Sequence, residues 1–178
     1  MIGNMFRIIK SMYESVRSVI HLGDDVSSII VQTVGVRQGC VLSPCLFSLF
    51  IADLPQFLKE QGGVGVCIRE SFVSCLLLAD DGAIVVSSKE DLQVMLNALS
   101  VYCNKCRMIV NTFKTDIVIF NRQHPMDTCH LCYAGNALKI KTEFRYLGLV
   151  FHEHRRDGSM IEHRMSQTRR LLAAWNRR

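Results

Sequence analysis

Leu76-Leu77-Leu78-Ala79-Asp80-Asp81-Gly82-Ala83-Ile84-Val85-Val86 passes from an apolar run through two adjacent carboxylates into a second apolar run without a spacer. Short apolar flanks of this kind read as two strands of a hairpin, and Asp81-Gly82 is a local signal for the turn between them. Two carboxylates are costly to bury unless something cationic neutralises them. A divalent ion is the usual solution, since Mg²⁺ takes oxygen ligands and keeps room for phosphate groups. A plain Asp-Gly turn and a metal site are compatible readings, because a tight turn presents two acids well at a sheet edge.

Outward from the hairpin, periodicity supplies the other elements. Ile2, Met5, Phe6, Ile9, Met12, Tyr13, Val16, Val19 and Ile20 recur at helical spacing and predict a first helix ending near Gly23. Residues 26–34 are β-branched and strand-like. Leu46, Phe47, Phe50, Leu54, Phe57 and Leu58 mark a second helix with one apolar stripe, and Pro44 suits its first turn. Gly62-Gly63 breaks the chain. Residues 64–68, 72–79 and 83–86 read as strands, the last two forming the hairpin. Ser87-Ser88-Lys89-Glu90 opens a capped helix with Leu92, Met95, Leu96, Leu99, Tyr102 and Cys103 on one face. Residues 117–120 form a short strand, and residues 137–151 two more around Thr142. Ser159 and Glu162 cap a last helix carrying Met165, Leu171, Leu172 and Trp175. The order predicts an α+β fold with a mainly antiparallel sheet. Helices over about 46–59 and 89–105 should cover one sheet face, leaving Asp80 exposed in a shallow groove on the other.

The 178 residues suit one domain with a real core. A hydrophobic content of 49% with only three prolines argues against disorder. The longest apolar stretch, residues 41–52, is interrupted by Ser43, Pro44 and Ser48, so no run reaches the ~18 residues of a membrane span. No signal-peptide pattern opens the chain, and an intracellular location is expected. Residues 145–178 hold eight arginines against three acids, which accounts for the whole net charge of +5. A basic segment of this kind suits a polyanion, nucleic acid first, although a solvated helix face has the same composition. No obligate protein partner is evident.

Eight cysteines without a secretion signal argue for thiols rather than disulfides. Cys103-x-x-Cys106 and Cys129-x-x-Cys132 have the spacing of zinc ligands. Against zinc, 22 residues and a strand separate the pairs, and Cys103 falls on the apolar stripe of a helix, where free cysteine acts as a small hydrophobe. Free thiols are the preferred reading, with a zinc-stabilised binding module as the alternative.

Gly35-Val36-Arg37-Gln38-Gly39-Cys40-Val41-Leu42-Ser43-Pro44, taken with Ala79-Asp80-Asp81, resembles reverse transcriptases, with the closest likeness to the non-LTR (LINE-type) retrotransposon class. Four motifs stand in family order. Gln38-Gly39 with Ser43-Pro44 looks like the element that shapes the nucleotide and template pocket. Leu78-Ala79-Asp80-Asp81 resembles the catalytic hairpin, Leu78 standing where an aromatic is usual. Asn111-Thr112-Phe113-Lys114-Thr115 matches the Asn-x-x-Lys-Thr element, and Phe144-Arg145-Tyr146-Leu147-Gly148 looks like the primer-grip hairpin.

The resemblance implies a partial palm over residues 1–152, with a basic helix over 153–178 opening the thumb. It implies Asp80 and Asp81 as ligands of Mg²⁺ or Mn²⁺, Lys114 as a catalytic cation toward departing pyrophosphate, and Tyr146, Leu147 and Gly148 at the primer end. The partners so implied are an RNA template and a DNA primer. The family carries a further metal-binding aspartate on a strand upstream of the first helix. Nothing in residues 1–35 matches it, since Asp24-Asp25 sits in a polar turn after that helix. The expectation is a palm truncated at both ends, whose sheet lacks a strand beside the Asp80 hairpin and which is inactive alone. A non-catalytic nucleic-acid binder acting through the basic C-terminal segment is the remaining alternative.

Overall fold

The computed structural model describes residues 3–120 and 130–153. The chain divides into two compact units, Met1–Ile51 and Ala52–Arg178. The expected C-terminal helix with Ser159, Glu162, Met165, Leu171, Leu172 and Trp175 lies outside the described residues, as does Cys129.

In the first unit, helix α1 (Asn4–Tyr13) is strongly amphipathic, yet none of its residues is buried within the described chain. It stops well before Gly23. Beyond it, β1 (Val16–Ser18) pairs antiparallel with β4 (Ile30–Gln32), and β2 (His21–Leu22) pairs with β3 (Asp25–Val26). Ile20 and Ser27 join the two ladders, since the Ser27 N–H donates to the Ile20 carbonyl at 2.9 Å. The result is one long ribbon turning at Gly23 (φ 62°) and Asp24. The helix expected to run on through Val16, Val19 and Ile20 is therefore half strand. Those β-branched residues are stiff at χ1 and favour a pleated ribbon over a helix's last turns. Helix α2 (Ser43–Phe50) closes the unit, with Pro44 in its first turn.

The second predicted helix is in fact two. Helix α2 ends at Phe50, and α3 (Leu54–Glu60) begins afresh with Pro55 in its first turn. A proline has no N–H and collides with the carbonyl four residues back, so a continuous helix through Pro55 is disfavoured. Helix α3 closes with its chain reversed at Gly62 (φ 85°), where the Gly63 N–H donates to Leu58 O at 2.9 Å and the Gly62 N–H to Lys59 O at 3.1 Å.

Two hairpins follow, β5 (Val66–Ile68) with β6 (Ser71–Val73) and β7 (Cys75–Leu78) with β8 (Asp81–Ile84). The capped helix α4 (Lys89–Lys105) starts as expected: the Ser88 hydroxyl accepts from the Asp91 N–H at 3.0 Å and donates to its carboxylate at 2.6 Å. Beyond it, β9 (Asp116–Val118) pairs in parallel with β12 (Lys139–Lys141). Hairpins β10 (Cys132–Tyr133) with β11 (Asn136–Ala137) and β13 (Glu143–Tyr146) with β14 (Leu149–His152) complete the unit.

The fold is mixed α and β, as expected, but the expected sheet is a set of two-stranded pairs, six antiparallel and one parallel among the described residues. Order comes from α4. One side of it carries Met95, Ala98 and Tyr102 into a cluster with Leu54 and Leu58 of α3, onto which Cys75, Leu77, Ile84 and Val86 of the acidic hairpin pack. Its other side packs Leu96 against Ile117, Leu131, Tyr133 and Leu138. Each fully buried side chain of this size contributes about 1.5–3 kcal/mol. Gln93 adds a polar clasp, donating to Cys132 O at 2.8 Å and accepting from the Cys132 N–H at 3.0 Å.

Candidate functional site

The register of the acidic hairpin determines where its carboxylates go. Leu78 pairs with Asp81, so the turn residues are Ala79 and Asp80, and the expected Asp81-Gly82 turn is displaced by two positions. Ala79 takes φ 50°, a left-handed conformation costing about 1–2 kcal/mol in a residue with a Cβ. Gly82 has a packing role: it faces Leu77, whose Cδ2 would lie 3.3 Å from an added Cβ.

Alternation then sorts the side chains. Cys75, Leu77 and Ile84 face the helices, while Leu76 (45% exposed), Leu78 (55% exposed) and Asp81 share the opposite, open face. Asp80 projects from the turn, also exposed. Neither carboxylate has an ion-pair partner among the described residues. Asp80 is exposed as expected, and α3 and α4 cover the back of its hairpin, but among the described residues the hairpin is a lone strand pair and no residue of α2 joins that cover.

The β13–β14 hairpin carries the expected primer-grip residues. Its turn is Leu147 (φ 51°) and Gly148 (φ 77°), and Phe144 and Tyr146 stack with ring centres 6.1 Å apart. Burial raises the Tyr146 phenol above its ordinary pKa, and the neighbouring Asp81 carboxylate and then Cys75 push it further.

Lys114 is presented by a turn that Asn111 organises. The Asn111 side chain accepts from the Phe113 and Lys114 N–H groups at 3.1 and 3.3 Å, and the Thr115 hydroxyl donates to the Asn111 carbonyl at 2.9 Å. The Asn-x-x-Lys-Thr spacing is the spacing of this turn. Lys114 itself is exposed, and no hydrogen bond ties it to Asp80 or Asp81 among the described residues.

In the first unit, Gly39 (φ 77°) bends the loop that carries Gln38. Ser43 is 7% exposed, and its hydroxyl donates to Arg37 O at 2.6 Å, so it shapes the loop from beneath. Pro44 starts α2. Tyr13, read only as part of the first helix's stripe, and Arg37, quoted within the motif but given no role, bind this loop.

The donor set fits a hard divalent cation in kind, since Asp80 and Asp81 offer adjacent, exposed oxygens. It is sparse in number, because no group of three or more metal-ligating side chains occurs among the described residues. Cys103 is buried and its thiol is raised above its ordinary pKa by desolvation, the surroundings of a packed thiol rather than a thiolate ligand. No described helix is long and apolar enough to cross a membrane.

Comparison with known proteins agrees with the motifs. The family model for reverse transcriptase (RNA-dependent DNA polymerase) matches residues 2–151. The RNA-directed DNA polymerase from mobile element jockey of Drosophila funebris is 28% identical across 97% of this chain and 20% of its own length. The probable RNA-directed DNA polymerase from transposon BS of Drosophila melanogaster is 27% identical across 94% of this chain and 19% of its own. The chain spans about a fifth of the length of these curated relatives. It belongs to the reverse transcriptase family.

Proposed function

We propose that this member of the reverse transcriptase family carries the palm chemistry of an RNA-directed DNA polymerase, the template-directed transfer of nucleotides to a primer 3′-hydroxyl. The observation that carries the reading is the exposed turn holding Asp80 and Asp81, on the hairpin face that the helices leave open.

Asp80 and Asp81 would hold Mg²⁺ or Mn²⁺, with water completing the shell. When bound, such an ion neutralises phosphate oxygens and stabilises an in-line displacement at the α-phosphate. Asp80, at the turn, is the principal ligand, and Asp81, anchored in strand pairing with Leu78, is the less mobile support. Tyr146 with Leu147 and Gly148 offers a stacked aromatic surface and a tight turn against which a primer end can rest. Lys114, which has no ion pair among the described residues, can supply positive charge to departing pyrophosphate. Gln38 and Gly39, backed by Ser43 and Pro44, form the wall that an incoming nucleotide and template base meet, Gly39 allowing close backbone approach. RNA template and DNA primer are the partners.

Two carboxylates hold one ion more readily than the two that this chemistry uses, ~3.5–4 Å apart. The 178-residue chain alone is therefore expected to extend a primer on an RNA template only at background. Titration of Mn²⁺ into wild type and Asp80→Asn tests the site: weak binding should fall at least severalfold in the variant. Equal affinity would remove Asp80 from the role. Robust extension by the chain, abolished by Asp80→Ala, would overturn the carboxylate count.

A further inference from the structure

The loop bearing Gln38 and Gly39 lies between two glycines with positive φ, Gly35 (86°) and Gly39 (77°). Such a segment has wide conformational freedom in isolation. Here it is held from both sides, by Arg37, Cys40 and Ser43 within the motif and by the end of α1 outside it. Arg37 reaches back to α1, its Nη2 donating at 2.8 Å to the carbonyl of Met12, one of the last-turn carbonyls that a helix leaves without an internal partner. Its guanidinium also lies over the Tyr13 ring, 5.8 Å from the centre.

The proton inventory orders the rest. Ser43 has one hydroxyl proton and donates it to Arg37 O at 2.6 Å. Tyr13 brings the one remaining hydroxyl proton, which the Ser43 oxygen at 3.5 Å and the Cys40 sulfur share as acceptors. The Tyr13 hydroxyl is also 3.9 Å from the Cys40 sulfur. Arg37 and Cys40 bracket Gln38 and Gly39, and the Cys40 N–H closes the turn onto Arg37 O at 3.3 Å. Every fixed point of the loop thus leads to Tyr13, directly or through one neighbour.

We infer that Tyr13 and Arg37 are positioning residues that lock the Gln38–Gly39 loop in the shape that receives an incoming nucleotide. The nucleotide part of this inference rests on the polymerase reading above; the locking of the loop does not. Amide hydrogen exchange of residues 36–41 in the ligand-free 178-residue chain reads the lock alone. Tyr13→Phe removes one hydroxyl and should speed exchange there about fivefold, the factor that one ordinary hydrogen bond represents. Arg37→Ala, at an exposed position, should speed it at least as much without disturbing the core, and Arg37→Lys should restore part of the protection.

A second arm measures deoxynucleotide affinity in the presence of a primer–template duplex and Mn²⁺. Both Tyr13→Phe and Arg37→Ala should weaken nucleotide binding about fivefold while leaving duplex affinity unchanged, a split that general loss of structure would not give. Unchanged exchange in both variants overturns the lock. Faster exchange with unchanged nucleotide affinity overturns the nucleotide role. Wild type that takes up no nucleotide beside the duplex overturns the polymerase reading and that role together, with the exchange arm still deciding the lock.

Discussion

Replacing Tyr102 by phenylalanine isolates one hydrogen bond at the core of the second unit. Tyr102 is 1% exposed on α4, its ring lies 5.3 Å from that of Phe57 at 56°, and its hydroxyl donates to the Asp53 carboxylate at the start of α3. Phenylalanine keeps the ring and its packing and deletes only the donor. Hydrogen bonds to charged groups contribute about 1.5–3 kcal/mol net. Asp53 is exposed and recovers water in the variant, which places the loss near the lower limit, about 1.5 kcal/mol. Asp53→Asn keeps an acceptor without its charge and should cost about half as much, since charge-assisted bonds are roughly twice as strong as neutral ones. Urea unfolding followed by far-UV circular dichroism measures all three variants, and the double variant should show a coupling of about 1 kcal/mol. The sign of the pH dependence is fixed as well. Burial, and then Asp53, raise the Tyr102 pKa above its ordinary 10.0, so its contribution is complete below that value and is lost as pH rises through the folded-state value. Wild type should therefore lose part of its advantage over Tyr102→Phe in alkali. A Tyr102→Phe protein within about 0.3 kcal/mol of wild type, or strict additivity with Asp53→Asn, would refute the reasoning.

Arg107 ends α4 at φ 54°, with the Met108 N–H donating to Cys103 O at 2.8 Å, in a position that normally takes glycine. Arg107→Gly should stabilise by about 0.5–1 kcal/mol, the relief of strain less the added freedom of the unfolded chain, as read from the urea midpoint. Gly65→Ala should cost more than about 3 kcal/mol, because the new Cβ would run into the backbone at Val73 and Ser74, which cannot rotate aside; a near-normal melting temperature would contradict the packing of β5 on β6. Ser88→Ala removes the cap of α4 and should lower stability by about 1 kcal/mol with no change in the unfolding slope.

The apolar face of α4 and its Ser88 start were legible in the sequence, because burial at 3.6-residue spacing and a capping serine are local signals. The exposed acidic pair was legible for the same reason: strand patterns flank it on both sides. What failed was also local. The second helix was carried straight through Pro55 although its ring argues for a fresh helix start, and the β-branched Val16, Val19 and Ile20 fitted a helical spacing that their χ1 preferences oppose. The Asp81-Gly82 turn failed because a non-local contact decided it, Gly82 being set opposite Leu77 against the α3–α4 core. Asn111 could have been read as a turn organiser from its spacing alone. Tyr13 and Arg37 could not, since their partners lie up to 30 residues away and only the folded loop reveals them.

The acidic hairpin is a cantilever. Its anchored end is the set of side chains that α3 and α4 grip, Cys75, Leu77 and Ile84, and its free end is the Ala79-Asp80 turn. From Leu77 to Asp80 the ribbon reaches at most about 10 Å, and no third strand pairs along it among the described residues. A small rocking at the grip becomes a larger sweep at the tip, so the steadiness of the carboxylates is borrowed from Leu58, Met95 and Tyr102. Loosening that grip would blur the position of Asp80 well before it unfolds the protein, and chemistry sensitive to fractions of an ångström would register the damage first.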